Sequence, residues 1–137
     1  MDTVSVERRS EIMSRVRHRD TGPEMAVRRL VHSMGYRFRL HGRGLPGKPD
    51  LVLRSHSKVI FVHGCFWHRH KDCALARVPK SRLEFWRTKL EGNRVRDEHA
   101  VRALKADGWR VLTVWECELA STEKVARRVQ RFLNAKR

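Results

Sequence analysis

Residues 58–73, KVIFVHGCFWHRHKDC, carry the densest reactive chemistry in the chain: three histidines, two cysteines and a Phe-Trp pair. Thiolates and imidazoles hold transition metals, imidazole exchanges protons near neutrality, and aromatic faces stack on bases. Cys65 and Cys73 flank His70, and Cys117 follows the apolar run RVLTVW. A Cys3His set closes a tetrahedral zinc shell with no open position, which makes such a zinc structural. Buried cysteines acting as small hydrophobes are the bland alternative. It fits poorly, because Cys65 and Cys73 lie in a polar segment and Cys117 lies between two glutamates. His68 competes with His70 as the fourth ligand. His63 and His68 are also the candidates for proton transfer. Phe66 and Trp67 are adjacent large rings that do not both enter a core easily, and such rings wedge between base steps. Trp86 suits either that use or helix packing.

The carboxylates form a second set. Asp50 ends the loop HGRGLPGKP and opens the apolar run Leu51-Val52-Leu53. Glu24 lies on the preceding helix. Hard oxygen ligands at a sheet edge suit Mg²⁺, which keeps waters and bridges to phosphate oxygens. The arrangement resembles the metal site of PD-(D/E)xK nucleases. The acid-x-Lys expected on the next strand is absent, and Phe61-Val62-His63 stands there, so Val62 offers only its main-chain carbonyl. Taken singly, Asp50 is also an ordinary turn residue and Glu24 an ordinary capping residue.

These residues need elements to hold them. Thr21-Gly22-Pro23-Glu24 starts a helix, with Thr21 as N-cap, and Val27, Leu30, Val31 and Met34 follow at helical spacing to a stop at Gly35. Tyr36, Phe38 and Leu40 alternate as in a half-buried strand. Leu51-Val52-Leu53 and Val59-Ile60-Phe61-Val62 read as a hairpin that brings Asp50 and His63 together. Ser81 with Glu84 reads as a capping box for a helix with Leu83, Trp86 and Leu90 on one face, Gly92-Asn93 as its break, and residues 95–106 as its resumption. RVLTVW is apolar on both faces and reads as a central strand. Ser121 caps a last helix bearing Val125, Val129, Phe132 and Leu133. The order is an α/β (α+β) fold with a mixed central sheet flanked by helices.

Composition narrows the partner. Against 31 Lys and Arg stand 15 Asp and Glu, a net charge of +16 that no core requires. A polyanion explains it, nucleic acid before anionic membrane. The 137 residues fit one domain, 1–137, with residues 1–19 a basic arm for DNA. No apolar run is long enough to span a membrane. MDTVSVERRSEIM has no apolar h-region, so a signal peptide is not expected and the cytoplasm, in a bacterium also the nucleoid, is the expected location.

The motifs FVHGCFWHRH, VP-x-S-R-x-EFW and GWRVLTVWEC, with Arg19-Asp20-Thr21, Glu24 and LPGKPD, resemble the very-short-patch-repair mismatch endonuclease family. The match runs from Arg19 to Cys117. Against the family pattern one extra residue lies between His70 and Cys73, and Arg69, Lys71 and Asp72 interrupt a run of histidines. The resemblance implies a restriction-endonuclease-like core with a structural zinc loop. It implies a Mg²⁺-dependent nick 5′ of the mispaired thymine in T:G mismatches left by 5-methylcytosine deamination. By the same resemblance Asp50 and the Val62 carbonyl hold Mg²⁺, Glu24 helps through water, His68 is the general base and His63 assists at the phosphate. Phe66, Trp67 and Trp86 intercalate, and Cys65, His70, Cys73 and Cys117 hold zinc. A monomer and a MutL-type repair partner are implied as well. Two other readings stand beside it: a zinc-containing DNA-binding module without catalysis, and a relative that cuts another mismatch or matched DNA.

Overall fold

The computed structural model describes residues 20–78 and 80–136. The basic arm 1–19 lies outside the described residues. The elements are α1 (Gly22–Ser33), β1 (Arg39–Leu40), β2 (Leu51–Leu53), β3 (Lys58–His63), α2 (Leu83–Ala106), β4 (Arg110–Trp115) and α3 (Thr122–Asn134). The strands form one sheet in the order β1-β2-β3-β4. The first two pairings are antiparallel and β3 pairs with β4 in parallel, so the sheet is mixed. A parallel pair needs a long crossover, and the chain spends it on the cysteine-histidine loop and α2.

Strand alternation divides the core between two layers. Leu51, Leu53, Ile60, Val62, Leu112 and Val114 face Val27 and Val31 of α1 and Val125, Val129 and Leu133 of α3. Val52, Val59 and Phe61 pack against Leu104 of α2. Each such burial contributes about 1.5–3 kcal/mol. Gly47 admits the Asp50 loop to this layer. Its φ is +73°, and a Cβ there would stand 2.7 Å from the Ala100 Cβ.

The structure departs from the sequence reading at four places. β4 is an edge strand among the described residues, not a central one. Its two-sided apolar pattern arises because helices cover both faces of the sheet. α2 runs unbroken through Gly92-Asn93. A mid-helix glycine costs about 1 kcal/mol, less than the burial of Trp86, Leu90, Ala100 and Leu104 on that helix returns. Ser81 does not cap α2; its N-cap is Arg82 at φ +57°, without a side-chain cap bond, and Ser121 at the start of α3 makes none either. Finally, Tyr36 and Phe38 pack on the core outside any strand, and β1 is two residues long.

Candidate active site and metal centres

The α1 N-terminus, the β2 entry and the β3 exit meet at one end of the sheet. Thr21 caps α1, its hydroxyl accepting from the Glu24 N–H at 3.3 Å. Glu24 is only 4% exposed, and its carboxylate accepts from the Asp20 N–H at 2.7 Å and the Arg28 guanidinium at 3.3 Å. Its reach back to Asp20 adds a bond one residue beyond the usual capping box.

Asp50 lies against Glu24. Antiparallel register pairs Leu51 with Ile60, which sets Asp50 beside the end of β3. The Val62 N–H donates to the Asp50 carboxylate at 2.6 Å. A strand residue's N–H and C=O leave on the same side, so the Val62 carbonyl also faces Asp50 and not β4. Burial, with Glu24 adding to it against the Val62 N–H, pushes the Asp50 carboxyl up to about 7. A buried carboxyl, a half-buried one and a carbonyl converge as a hard-oxygen donor set that fits a divalent cation such as Mg²⁺.

The imidazoles stand next to it. His63 and His68 stack with ring centroids 3.8 Å apart and planes at 4°. His68 Nδ1 lies 2.6 Å from the Asp97 carboxylate. That contact makes Nδ1 the protonated nitrogen and leaves Nε2 as the basic one. His63 is 6% exposed and its Nδ1 has no hydrogen-bond partner. Burial and the neighbouring His68 lower its pKa to about 3. His63 is therefore neutral at physiological pH, stacked on the His68 ring and lining the same groove. An open groove of about 1180 Å³ runs past His68 and Asp97, between residues 69–77 and α2, and carries Arg69, Lys71, Arg77, Arg102 and Lys105.

The second candidate metal centre lies on the same loop. Ligand atoms of Cys65, His70, Cys73 and Cys117 all fall within 4.8 Å of one another. His70 Nδ1 is 3.5 Å from Cys65 Sγ and 3.4 Å from Cys117 Sγ. Tetrahedral zinc with Zn–S of about 2.3 Å and Zn–N of about 2.0 Å sets those atoms roughly 3.5 Å apart, so the donors fit zinc. His68 is turned to Asp97 and away from this cluster, which leaves His70 as its imidazole. Arg69 and Asp72 take left-handed φ of +55° and +56°, which turn the loop between Cys65 and Cys73. The β4 exit holds Cys117: Glu118 accepts from the Trp115 N–H at 2.9 Å and pairs with Arg128 at 2.7 Å, and Glu116 accepts from the Cys65 N–H at 3.2 Å. His70 also stacks on Trp115, at 4.2 Å and 9°. Burial drives the Cys65 thiol up to about 12. Cys73 goes the other way: against desolvation, the Leu75 N–H and the other two cysteines lower it.

Three rings gather beside the zinc loop. Phe66 meets Trp67 at 5.1 Å and Trp86 at 5.5 Å, and Trp67 meets Trp86 at 6.1 Å. Trp86 is 5% exposed and forms their floor, whereas Phe66 and Trp67 are half-buried. Asn93, expected to break the helix, instead donates to the Trp67 carbonyl at 3.0 Å and ties this loop to α2.

The structure thus brings Asp50, Glu24, Val62, His63 and His68 to one end of the sheet and gathers the four zinc candidates beside them. Sequence reasoning missed Asp97. A lone Asp in the charged run Arg94-Val95-Arg96-Asp97-Glu98 carries no signal of its own. Only a search for a carboxylate to orient a histidine would have raised it. Replacing Asp97 with Asn should favour the wrong tautomer at His68 and lower turnover through that ring by roughly 10²–10⁴-fold. Substrate binding should hold within a few-fold. Single-turnover rates beside binding isotherms check this, and an unchanged rate would remove Asp97 from the site.

Comparison with known proteins agrees with this geometry. Residues 1–75 match the family described as DNA mismatch endonuclease Vsr. The chain is 51% identical over 133 residues to the type II nicking enzyme V.XorIIP of Xanthomonas oryzae pv. oryzae, covering 97% of each. It is 44% identical over 117 residues to DNA mismatch endonuclease Vsr of Escherichia coli K12, covering 85% of this chain and 74% of that one. The catalytic domain of homing endonuclease I-Bth0305I shares the fold, with a TM-score of 0.56 at 21% identity over 82% of this chain and 94% of that one. No described helix is long and apolar enough to cross a membrane. With a carboxylate pair, an oriented histidine and a cysteine-histidine cluster in place, and relatives matched along nearly its whole length, the chain belongs to the DNA mismatch endonuclease Vsr family.

Proposed function

We propose that this DNA endonuclease nicks one strand of duplex DNA on the 5′ side of the mispaired thymine in a T:G mismatch, as a Mg²⁺-dependent monomer braced by structural zinc. The observation that carries the reading is the convergence of Asp50, Glu24 and the Asp97-oriented His68 within reach of one another. A DNA-binding module gains nothing from carboxylates facing phosphate. Asp50 and the Val62 carbonyl would hold Mg²⁺, with Glu24 helping from behind them. When bound, Mg²⁺ supplies positive charge against the charge that develops on the phosphate. His68 Nε2 takes the proton from the attacking water while Asp97 stabilises the imidazolium. The water oxygen joins phosphorus, the bond from phosphorus to the leaving sugar oxygen breaks, and that oxygen takes up a proton from solvent water. His63 acts through its stack on His68, keeping that ring in place. Phe66 and Trp67 enter the base stack beside the mispair, with Trp86 supporting them from below. The net charge of +16 and the cations along the groove suit a DNA backbone. Such a substrate puts the protein to work on the nucleoid, in the cytoplasm.

Labelled duplexes carrying T:G, matched C:G and other mismatches, incubated with the protein and Mg²⁺, test the reading. The expected product is one nick on the thymine strand of the T:G duplex. Tight binding without cleavage of any duplex would leave a binding module. Equal cleavage of matched DNA would make the chain a site-specific nickase.

A further inference from the structure

Among the described residues, the large apolar side chains left most exposed are Leu40, Leu75, Phe85 and Val95, and Phe85 alone is aromatic. It is 45% exposed, beside Trp86 at 5%. Two neighbouring rings in the first turn of α2 therefore have opposite fates. Trp86 fills the floor under Phe66 and Trp67, and Phe85 turns outward, its centroid 5.1 Å from that of Trp86. An aromatic ring left in water forfeits its burial energy.

What surrounds Phe85 is cationic. The Arg82 guanidinium lies 4.3 Å from its ring centroid. The Lys89 ammonium lies 5.9 Å from the same centroid and 5.6 Å from that of Trp67. One ammonium thus spans Trp67 and Phe85, so the two rings border one continuous surface. A nucleotide offers the complement, a π-face with phosphate on either side. Exposed cation–π contacts are weak, so the Lys89 ammonium can leave the two rings for phosphate when DNA arrives.

We propose that Phe85 is a further DNA-positioning residue, stacking on the base displaced beside the mispair while Arg82 and Lys89 meet the flanking phosphates. The surface that opens the duplex then comprises Phe66, Trp67 and Phe85, with Trp86 as its support. This inference rests on the reading of the chain as a mismatch nickase.

The test measures affinity of the full chain, with Ca²⁺ in place of Mg²⁺ to prevent cleavage, for a matched duplex, a T:G duplex and a duplex with one unpaired thymine. Phe85→Ala should lower the preference for the T:G and unpaired-base duplexes over the matched one at least five-fold, the lower end for one base–aromatic stack. Phe85→Trp should restore it. A 2-aminopurine beside the mispair should brighten on binding wild type and less on binding Phe85→Ala. Lys89→Gln should lower the slope of log affinity against log salt by about one phosphate contact. Melting temperature should stay within a few degrees in every variant, since these side chains are exposed. Equal loss on all three duplexes, or no loss on any, would overturn the inference. If wild type does not prefer T:G over matched DNA, the mismatch reading falls. Loss on the unpaired-base duplex alone would still uphold Phe85.

Discussion

Replacing Asp50 with Ala should lower nicking by at least roughly a thousand-fold, with fold and zinc content unchanged. The magnitude follows from the several kcal/mol that a catalytic cation supplies to phosphoryl chemistry, at about 1.4 kcal/mol per decade of rate. Asp50 is the residue on which the other donors converge: its carboxylate holds the Val62 N–H at 2.6 Å and lies against Glu24. Its partners are backbone and carboxyl, and the cysteine cluster uses none of them, so zinc should stay at one per chain by mass spectrometry. Zinc loss in Asp50→Ala would show that the two centres are not separate.

The same residue sets a pH dependence. Burial, and then Glu24, raise the Asp50 carboxyl from its ordinary range to about 7. Between those two values the metal-free native state holds a proton that the unfolded chain has lost. The Asp50 contribution to the stability of the metal-free protein must therefore fall as pH rises from about 4 through about 7, while His63, held down at about 3, contributes the opposite slope up to its ordinary value. The readout is the difference between the two proteins: Asp50→Asn should gain stability relative to wild type across that window in denaturant titrations at a series of pH values. Mg²⁺ competes with the same proton, so its affinity should rise over the same window. A wild-type protein whose stability rises from pH 5 to 8, with Asp50→Asn indistinguishable from it, would contradict the assignment.

Removal of zinc should be the most destabilising single change. Cys117→Ala deletes the donor that ties residues 64–73 to the end of β4, and should take zinc from one per chain to none. Structural zinc contributes about 10–16 kcal/mol of apparent binding energy in peptides that fold around it. Here a core exists without it, so a loss of several kcal/mol is expected, with a fall in Tm of roughly 10 °C or more. Nicking should fall with it, because the loop that the cysteine-histidine cluster closes also carries Phe66, Trp67 and His68. Full zinc content in Cys117→Ala, or full activity after exhaustive chelation, would show that the cluster is not the brace. The buried Cys65 thiol, pushed up to about 12 without metal, must release its proton on loading, so zinc affinity should rise with pH.

Much of this site was legible because its parts are close in sequence or sit at element ends. Cys65, His70 and Cys73 fall within one short loop, and Thr21 caps the helix that its spacing to Glu24 indicated. The β2–β3 hairpin was legible from two apolar runs and a turn, and it brings Asp50 to Val62. The +16 charge indicated a polyanionic partner. These signals are local, and local chemistry writes directly into residue types and spacing.

What the tertiary structure decided concerns faces. Which side of the 24-residue α2 meets the sheet determines that Asp97 reaches His68, 29 residues away, that Asn93 holds the Trp67 carbonyl, and that Trp86 is buried while Phe85 is not. In one dimension Asp97 reads as plain helix surface and Asn93 as part of a helix break. The place of β4 at the sheet edge has the same origin, since an apolar pattern on two faces reports helices above and below and says nothing about neighbours to the side. A chain of residue types specifies donors, acceptors and burial tendency. Which donor meets which acceptor depends on packing between elements distant in sequence, and only the assembled sheet and helices determine that.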